Sequence, residues 1–150
     1  MKAAVLLIGL LALPAAADVL IDGQVSSPRQ WSVADLKAQT PVTVETSYLT
    51  GHGEEHVRFT GVPLWALLGE AKLTDKEGHH PDLRHTVTVT GRDGYAIAVA
   101  FGEFDPEFED KSVLVAYERD GKPTEGLQLV MPGDKRGARY VHDVVHIEVK

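Results

Sequence analysis

From Val42 to Val149 the apolar residues of this chain recur at every second position, in short runs cut by glycine, proline and aspartate. That period belongs to strands with one buried face, and it leaves little room for helices. In "PVTVETSYL" Val42, Val44 and Thr46 share one face, and Thr43, Glu45 and Ser47 share the other. "EHVRFTG", "RHTVTVTG", "GYAIAVAF", "KSVLVAY", "GLQLVMPG" and "VVHIEV" follow the same rule, and "DVLIDGQV" opens the series with a strand ending at Gly23. Asp93-Gly94 and Asp120-Gly121 are two-residue turn signals, and Pro132-Gly133 is a strand stop. Only two stretches carry helical spacing. In "SVADLKAQ", Ser32 and Asp35 form a capping-box pattern ahead of an apolar side of Val33 and Leu36. In "VPLWALLGEA", Pro63 suits the first turn, and Leu64, Leu67, Leu68 and Ala71 fall on one face. "KLTDKEGHHPD" reads as a polar loop. Trp31 ahead of the capping box and Trp65 beside the helix's apolar face are expected to pack. The sum is one mixed, strand-rich α+β domain.

The first residues have a different character. Lys2 precedes an apolar stretch, Ala3 to Leu13, that is too short to cross a bilayer, and Ala15-Ala16-Ala17 is a small-residue cleavage pattern. Residues 1–17 are expected to be a signal peptide and 18–150 the folded domain, placed in the periplasm or secreted and not inserted in a membrane after cleavage. With 15 basic and 22 acidic residues the net charge is -7. That argues against binding nucleic acid, whose affinity rests on neutralising phosphates, and against coating anionic lipid. There is no cysteine, which excludes disulfides, thiol nucleophiles and thiolate metal ligands. No G-x-S-x-G or H-E-x-x-H motif occurs, so no catalytic residue is assigned.

Against this acidic background one loop is cationic. "MPGDKRGARYV" places Lys135, Arg136 and Arg139 around Gly137, with Tyr140 directly after and His142 two residues on. Glycine lets backbone approach a ligand, guanidinium forks suit a carbonyl, a phosphate or a ring face, and a tyrosine stacks or hydrogen-bonds. The same arginines could equally serve as surface partners for the many acids. Thr46, Ser47 and Tyr48 end a strand that opens into "LTGHGEE", a common position for a site. Asp93 and Tyr95 belong first to a turn, and Asp93 also offers an acceptor. Seven histidines invite a metal reading. His142 and His146 on a strand would stand about 13 Å apart, too far to share one ion. His79 and His80, as loop neighbours, are expected to point apart. His52 and His56 flank a possible metal-binding tip, but no metal ligand is assigned.

Taken in order, "FTGVPLWALL", "VTVTGRDGYAIAV", "LVAYERDGKPT" and "LQLVMPGDKRGARYVHDVVHIEV" resemble the oxidoreductase molybdopterin-binding domain, the fold of sulfite oxidase. The likeness runs from about Gly23 to Lys150. It implies a mixed α+β fold whose loops clasp a pterin cofactor, molybdopterin in the full enzymes. In catalytic members a cysteine at the end of the strand matching "VTVET" binds molybdenum. Here Thr46 falls near that position, with Ser47 next, and neither is a thiolate. The resemblance therefore implies a pterin or molybdopterin ligand, with molybdenum doubtful, and the redox activity of the full enzymes does not carry over. It points to the small exported members that are similar to periplasmic pterin receptors. The expected function is to sense or carry a pterin for an inner-membrane signalling partner. Thr46, Ser47, Tyr48, Asp93, Tyr95, Lys135, Arg136, Gly137, Arg139, Tyr140 and His142 are the expected binding residues. The alternatives are a molybdopterin-dependent oxidoreductase, or a subunit with a redox partner, and a protein-protein adaptor that uses the fold without a ligand.

Overall fold

Strands with one apolar face must cover that face, and this chain does so by setting two sheets around a common core. A computed structural model of the protein describes residues 18–75 and 77–150. The expected signal peptide, residues 1–17, lies outside the described residues. In chain order the elements are β1 (Asp18–Gly23), β2 (Arg29–Ser32), α1 (Val33–Lys37), β3 (Val42–Thr50), β4 (Gly53–Pro63) and α2 (Leu64–Ala71). A 3-10 turn (Pro81–Arg84), β5 (Thr86–Gly91), β6 (Ala96–Ala100), α3 (Phe101–Phe104), β7 (Leu114–Arg119), β8 (Lys122–Val130), a second 3-10 turn (Gly137–Arg139) and β9 (Val144–Val149) follow. One sheet has the order β2-β1-β9-β5-β6 and the other β3-β4-β7-β8. Among the strand pairings of the described residues, β1–β9 is parallel and the others are antiparallel. With three short helices among the described residues, the domain is more strand-dominated than an even α+β mixture.

The alternation does the sorting. On β3 Thr46 and Tyr48 are buried while Thr43, Glu45 and Ser47 face solvent. Ile21, Phe59, Val89, Leu114, Leu129 and Ile147, drawn from both sheets, have no exposed surface and belong to one core. Burying each such side chain contributes about 1.5–3 kcal/mol. The capping box forms as expected: the Asp35 amide donates to Ser32 Oγ (3.1 Å) and the Ser32 amide to Asp35 Oδ2 (2.9 Å). Leu64, Leu67, Leu68 and Ala71 of α2 are buried.

Four details depart from the expectation. Pro63 is not in the first turn of α2 but just before it, closing β4. Phe101 does not prolong β6. It begins α3 and packs on Phe104 with ring centres 5.1 Å apart, because both rings reach the core from a helical turn. Trp31 is buried beneath the Arg29 guanidinium (3.9 Å to the ring centre), but Trp65 keeps 40% of its surface exposed and lays one side on Phe101. The His79 and His80 rings do not point apart; they meet edge to face, 4.4 Å between centres, because His80 adopts a left-handed backbone (φ 45°).

Candidate functional site

The inward alternation of β3 carries Tyr48 to the strand end, and the cationic loop closes over it. The Leu49 amide donates to the Lys135 carbonyl (2.9 Å), and Leu49 bridges to Arg136 as a parallel pair. The loop thus continues the sheet beyond β3. Tyr140 stacks on Tyr48 with ring centres 4.1 Å apart, and its hydroxyl shares a 2.8 Å hydrogen bond with Thr46 Oγ1. Gly137 lies on the edge of the Tyr48 ring; a β-carbon there would stand 3.0 Å from it, a tight contact that favours glycine. Burial raises both phenols above the ordinary tyrosine range, the Thr46 bond partly offsetting the effect at Tyr140.

Above this stack opens a groove of about 500 Å³. Tyr48, Glu55, Arg119, Arg136, His52 and His142 line it. The Glu55 carboxylate accepts a short bond from Arg119 Nη2 and a long one (3.5 Å) from the Tyr48 hydroxyl. Burial pulls the Arg119 proton affinity down, and the Glu55 carboxylate more than restores it. The groove lining therefore carries one carboxylate, paired with Arg119, and a second guanidinium, Arg136, in a chain of net charge -7. Arg119 and His142 also line an adjoining hollow of about 660 Å³ together with Lys122, Thr124 and Gln128. Gln128 is 4% exposed, and its Nε2 has no hydrogen-bond partner among the described residues. A buried donor without an acceptor costs about 1–3 kcal/mol, so this one is suited to an acceptor brought by a ligand.

Of the residues expected from the sequence, the structure gathers Tyr48, Arg136, Gly137, Tyr140 and His142 at the groove. Thr46 lies behind it, with its hydroxyl held by Tyr140. The others are elsewhere or engaged. Ser47 faces outward and bonds His56 Nδ1 (2.6 Å), as the alternation requires. Lys135 contributes its carbonyl to β3 while its exposed side chain does not line the groove. Asp93 caps its own turn by accepting from the Tyr95 amide (3.0 Å), and the Tyr95 hydroxyl donates to the Ala138 carbonyl (2.7 Å), tying the hairpin to the cationic loop. Arg139 is the main correction. Its Nε and Nη2 grip Asp134 (2.8 and 2.7 Å) and its Nη1 grips Glu103 (3.1 Å). The hydrogen bonds it donates, to Asp134 first and then to Glu103, hold it protonated against the opposing effect of burial. All three of its nitrogens are engaged within the protein, so it anchors the loop and is absent from the groove lining.

Sequence reasoning does not reach Glu55, Arg119 or His52 as groove residues. A signal for Glu55 exists: it shares the inward alternation of β4 with Val57 and Phe59, where a carboxylate needs a partner. Arg119 carries no local signal, because its position beside Glu55 depends on the β4–β7 pairing. His146 binds Asp22 across β1 and β9 (2.6 Å), away from His142. Among the described residues no three histidine, aspartate or glutamate side chains converge on a common point.

No family model matches this chain, and no curated protein matches it. Among solved structures, the crystal structure of the sulfane dehydrogenase SoxCD from Paracoccus pantotrophus matches 88% of the chain with a TM-score of 0.72 and 18% identity. The chain spans 37% of the length of that one. This likeness establishes the fold class, a sulfite oxidase-like fold.

The molybdenum and pterin parts of the implied cofactor fare differently against these residues. A soft thiolate has no counterpart here: Thr46 presents a hydroxyl that is buried and already bonded to Tyr140. The donor set does not fit the metal. The pterin part is compatible with the groove, where the Glu55 carboxylate offers an acceptor and Arg136 a donor, while the unpartnered Gln128 amide belongs to the adjoining hollow.

Proposed function

We propose that this protein binds a pterin-class ligand, a flat heterocycle with an amino-and-ring-nitrogen donor edge beside a carbonyl. The observation that carries this reading is the Glu55–Arg119 pair in the groove wall beside Tyr48, with Arg136 also in the lining. A carboxylate accepts two parallel N–H bonds from such an edge, and a guanidinium donates to the neighbouring carbonyl. A polar tail would enter the adjoining hollow, where Gln128, Lys122 and His142 supply donors beside the acceptors of Asp120, Glu125 and Asp143. The role is ligand sensing or carriage in the periplasm, reported to an inner-membrane partner. It rests on the export pattern of residues 1–17 and on the lack of a thiolate.

Titration of the purified protein with a tetrahydropterin, followed by calorimetry, tests the reading. Micromolar binding is expected, weakened about tenfold or more by Glu55→Gln, since a hydrogen bond to a charged group contributes about 1.5–3 kcal/mol. No binding by the wild type, or equal affinity in the variant, would sink it.

A second reading is a redox subunit, favoured by the likeness to a dehydrogenase. Stoichiometric molybdenum in protein isolated without refolding would support it over the first. A protein-protein adaptor follows if partner binding is indifferent to every pterin offered.

A further inference from the structure

Four strands end the two sheets, and three of them are protected. β2 is short and carries Arg29. β3 carries Glu45, and the cationic loop bridges its end at Leu49. β8 carries Lys122 and Pro123, and its Leu129 amide donates to the Val141 carbonyl (2.9 Å). Charges, proline and covering loops are the means by which sheet edges avoid pairing with other chains. The fourth, β6, has none of them. From Tyr95 to Phe101 it reads "YAIAVAF", without a charge, a proline or a glycine.

The hydrogen-bonding phase of β6 is settled at both ends. The Phe101 amide donates to the His85 carbonyl (3.1 Å) and the Gly91 amide to the Tyr95 carbonyl (2.9 Å). Odd-numbered residues of β6 therefore bond β5, and Ala96 and Ala98 turn their amides and carbonyls outward. All three alanines are exposed. Ala100 is engaged by α3, which it caps: its amide donates to Glu103 Oε1 (3.3 Å) and its carbonyl opens the helix, so Ala96 and Ala98 form the open part of the edge.

The sequence of this edge is also close to a palindrome about Ala98. An antiparallel pair on a two-fold axis through Ala98 sets Ala98 against itself, Ala96 against Ala100 and Ile97 against Val99. An isologous interface requires such self-complementarity. Small residues meet small ones on the solvent face, and branched residues meet branched ones on the core face. No like charges oppose each other within the strand pair, although each chain is acidic. We propose that β6 pairs with β6 of a second copy, joining two five-stranded sheets into one continuous sheet across a two-fold axis.

Sedimentation of the purified protein over a range of concentrations provides the first check, with dimers expected to form in the micromolar range. Ala98→Lys places two ammonium groups opposite each other on the axis and is expected to weaken association about tenfold or more. The melting temperature of the monomer should hold, because that side chain is exposed. A second measurement uses the absence of native cysteine. Under mild oxidation Ala98→Cys should cross-link to its own copy, since directly opposed Cα atoms about 5.5 Å apart fall within disulfide reach. Ala96→Cys, which faces Ala100, should cross-link far less. Monomers at every concentration, dimers that Ala98→Lys leaves intact, or equal cross-linking of the two cysteine variants would overturn the proposal.

Discussion

Tyr140 shows how one side chain can serve the framework of a groove. By sequence it is a stacking or hydrogen-bonding residue for a ligand. In the fold its ring is spent on Tyr48 and its hydroxyl on Thr46, so it builds the floor on which the groove rests. Both residues are buried, which makes the bond sensitive to loss of one partner. Tyr140→Phe is expected to cost about 1–2 kcal/mol, because the Thr46 hydroxyl stays buried without a partner. Urea denaturation measures this directly, and an unchanged midpoint would show that Thr46 finds another partner. The inward position of Thr46 is legible from period-two alternation alone. Its partner, 94 residues away, is not, since no local pattern marks a long-range contact.

At the scale of elements, the cationic loop is held in place by acids from other segments. Arg139 grips Asp134 and Glu103, and Lys111 also binds Glu103 (2.9 Å). Burial pushes the Glu103 carboxyl upward, but the bonds from Lys111 and Arg139 win and hold it below its ordinary value of 4.5. A depressed folded value means that this stability is present above the unfolded value and is lost as pH falls through the folded one. Stability is therefore expected to decline with acid below about pH 4.5. Arg139→Ala should lower stability at neutral pH by about 1–2 kcal/mol for a partly exposed cluster and flatten that acid limb. Denaturant midpoints measured across the carboxylate range check both, and a parallel acid limb in the variant would remove Glu103 from the account. The turn signals at Asp93-Gly94 and Asp120-Gly121 are legible because turn geometry is local. α3 is hidden, since Phe101 continues an apolar alternation and only the core beneath it selects a helical turn.

The whole molecule carries three phenols, Tyr48, Tyr117 and Tyr140, that burial raises above the ordinary value of 10.0. For an acid raised in the fold, the unfolded chain releases its proton first. Stability is complete below about pH 10 and is lost as pH rises beyond it. Alkaline unfolding is expected to coincide with the appearance of phenolate absorbance; full phenolate absorbance in a folded protein would contradict the burial of these rings. The sequence by itself determined the strand-rich class, the faces of β3 and α2, the hairpin turns and the cationic character of the loop. Each follows from the spacing of neighbouring residues, which backbone geometry converts into faces and turns. Only the tertiary structure decided that Arg139 anchors the loop, that Glu55 and Arg119 share the groove, that Gln128 is left without a partner, and that β6 ends its sheet. Those outcomes depend on which distant strands pair and in what register, and a single chain read locally does not encode them in any one segment.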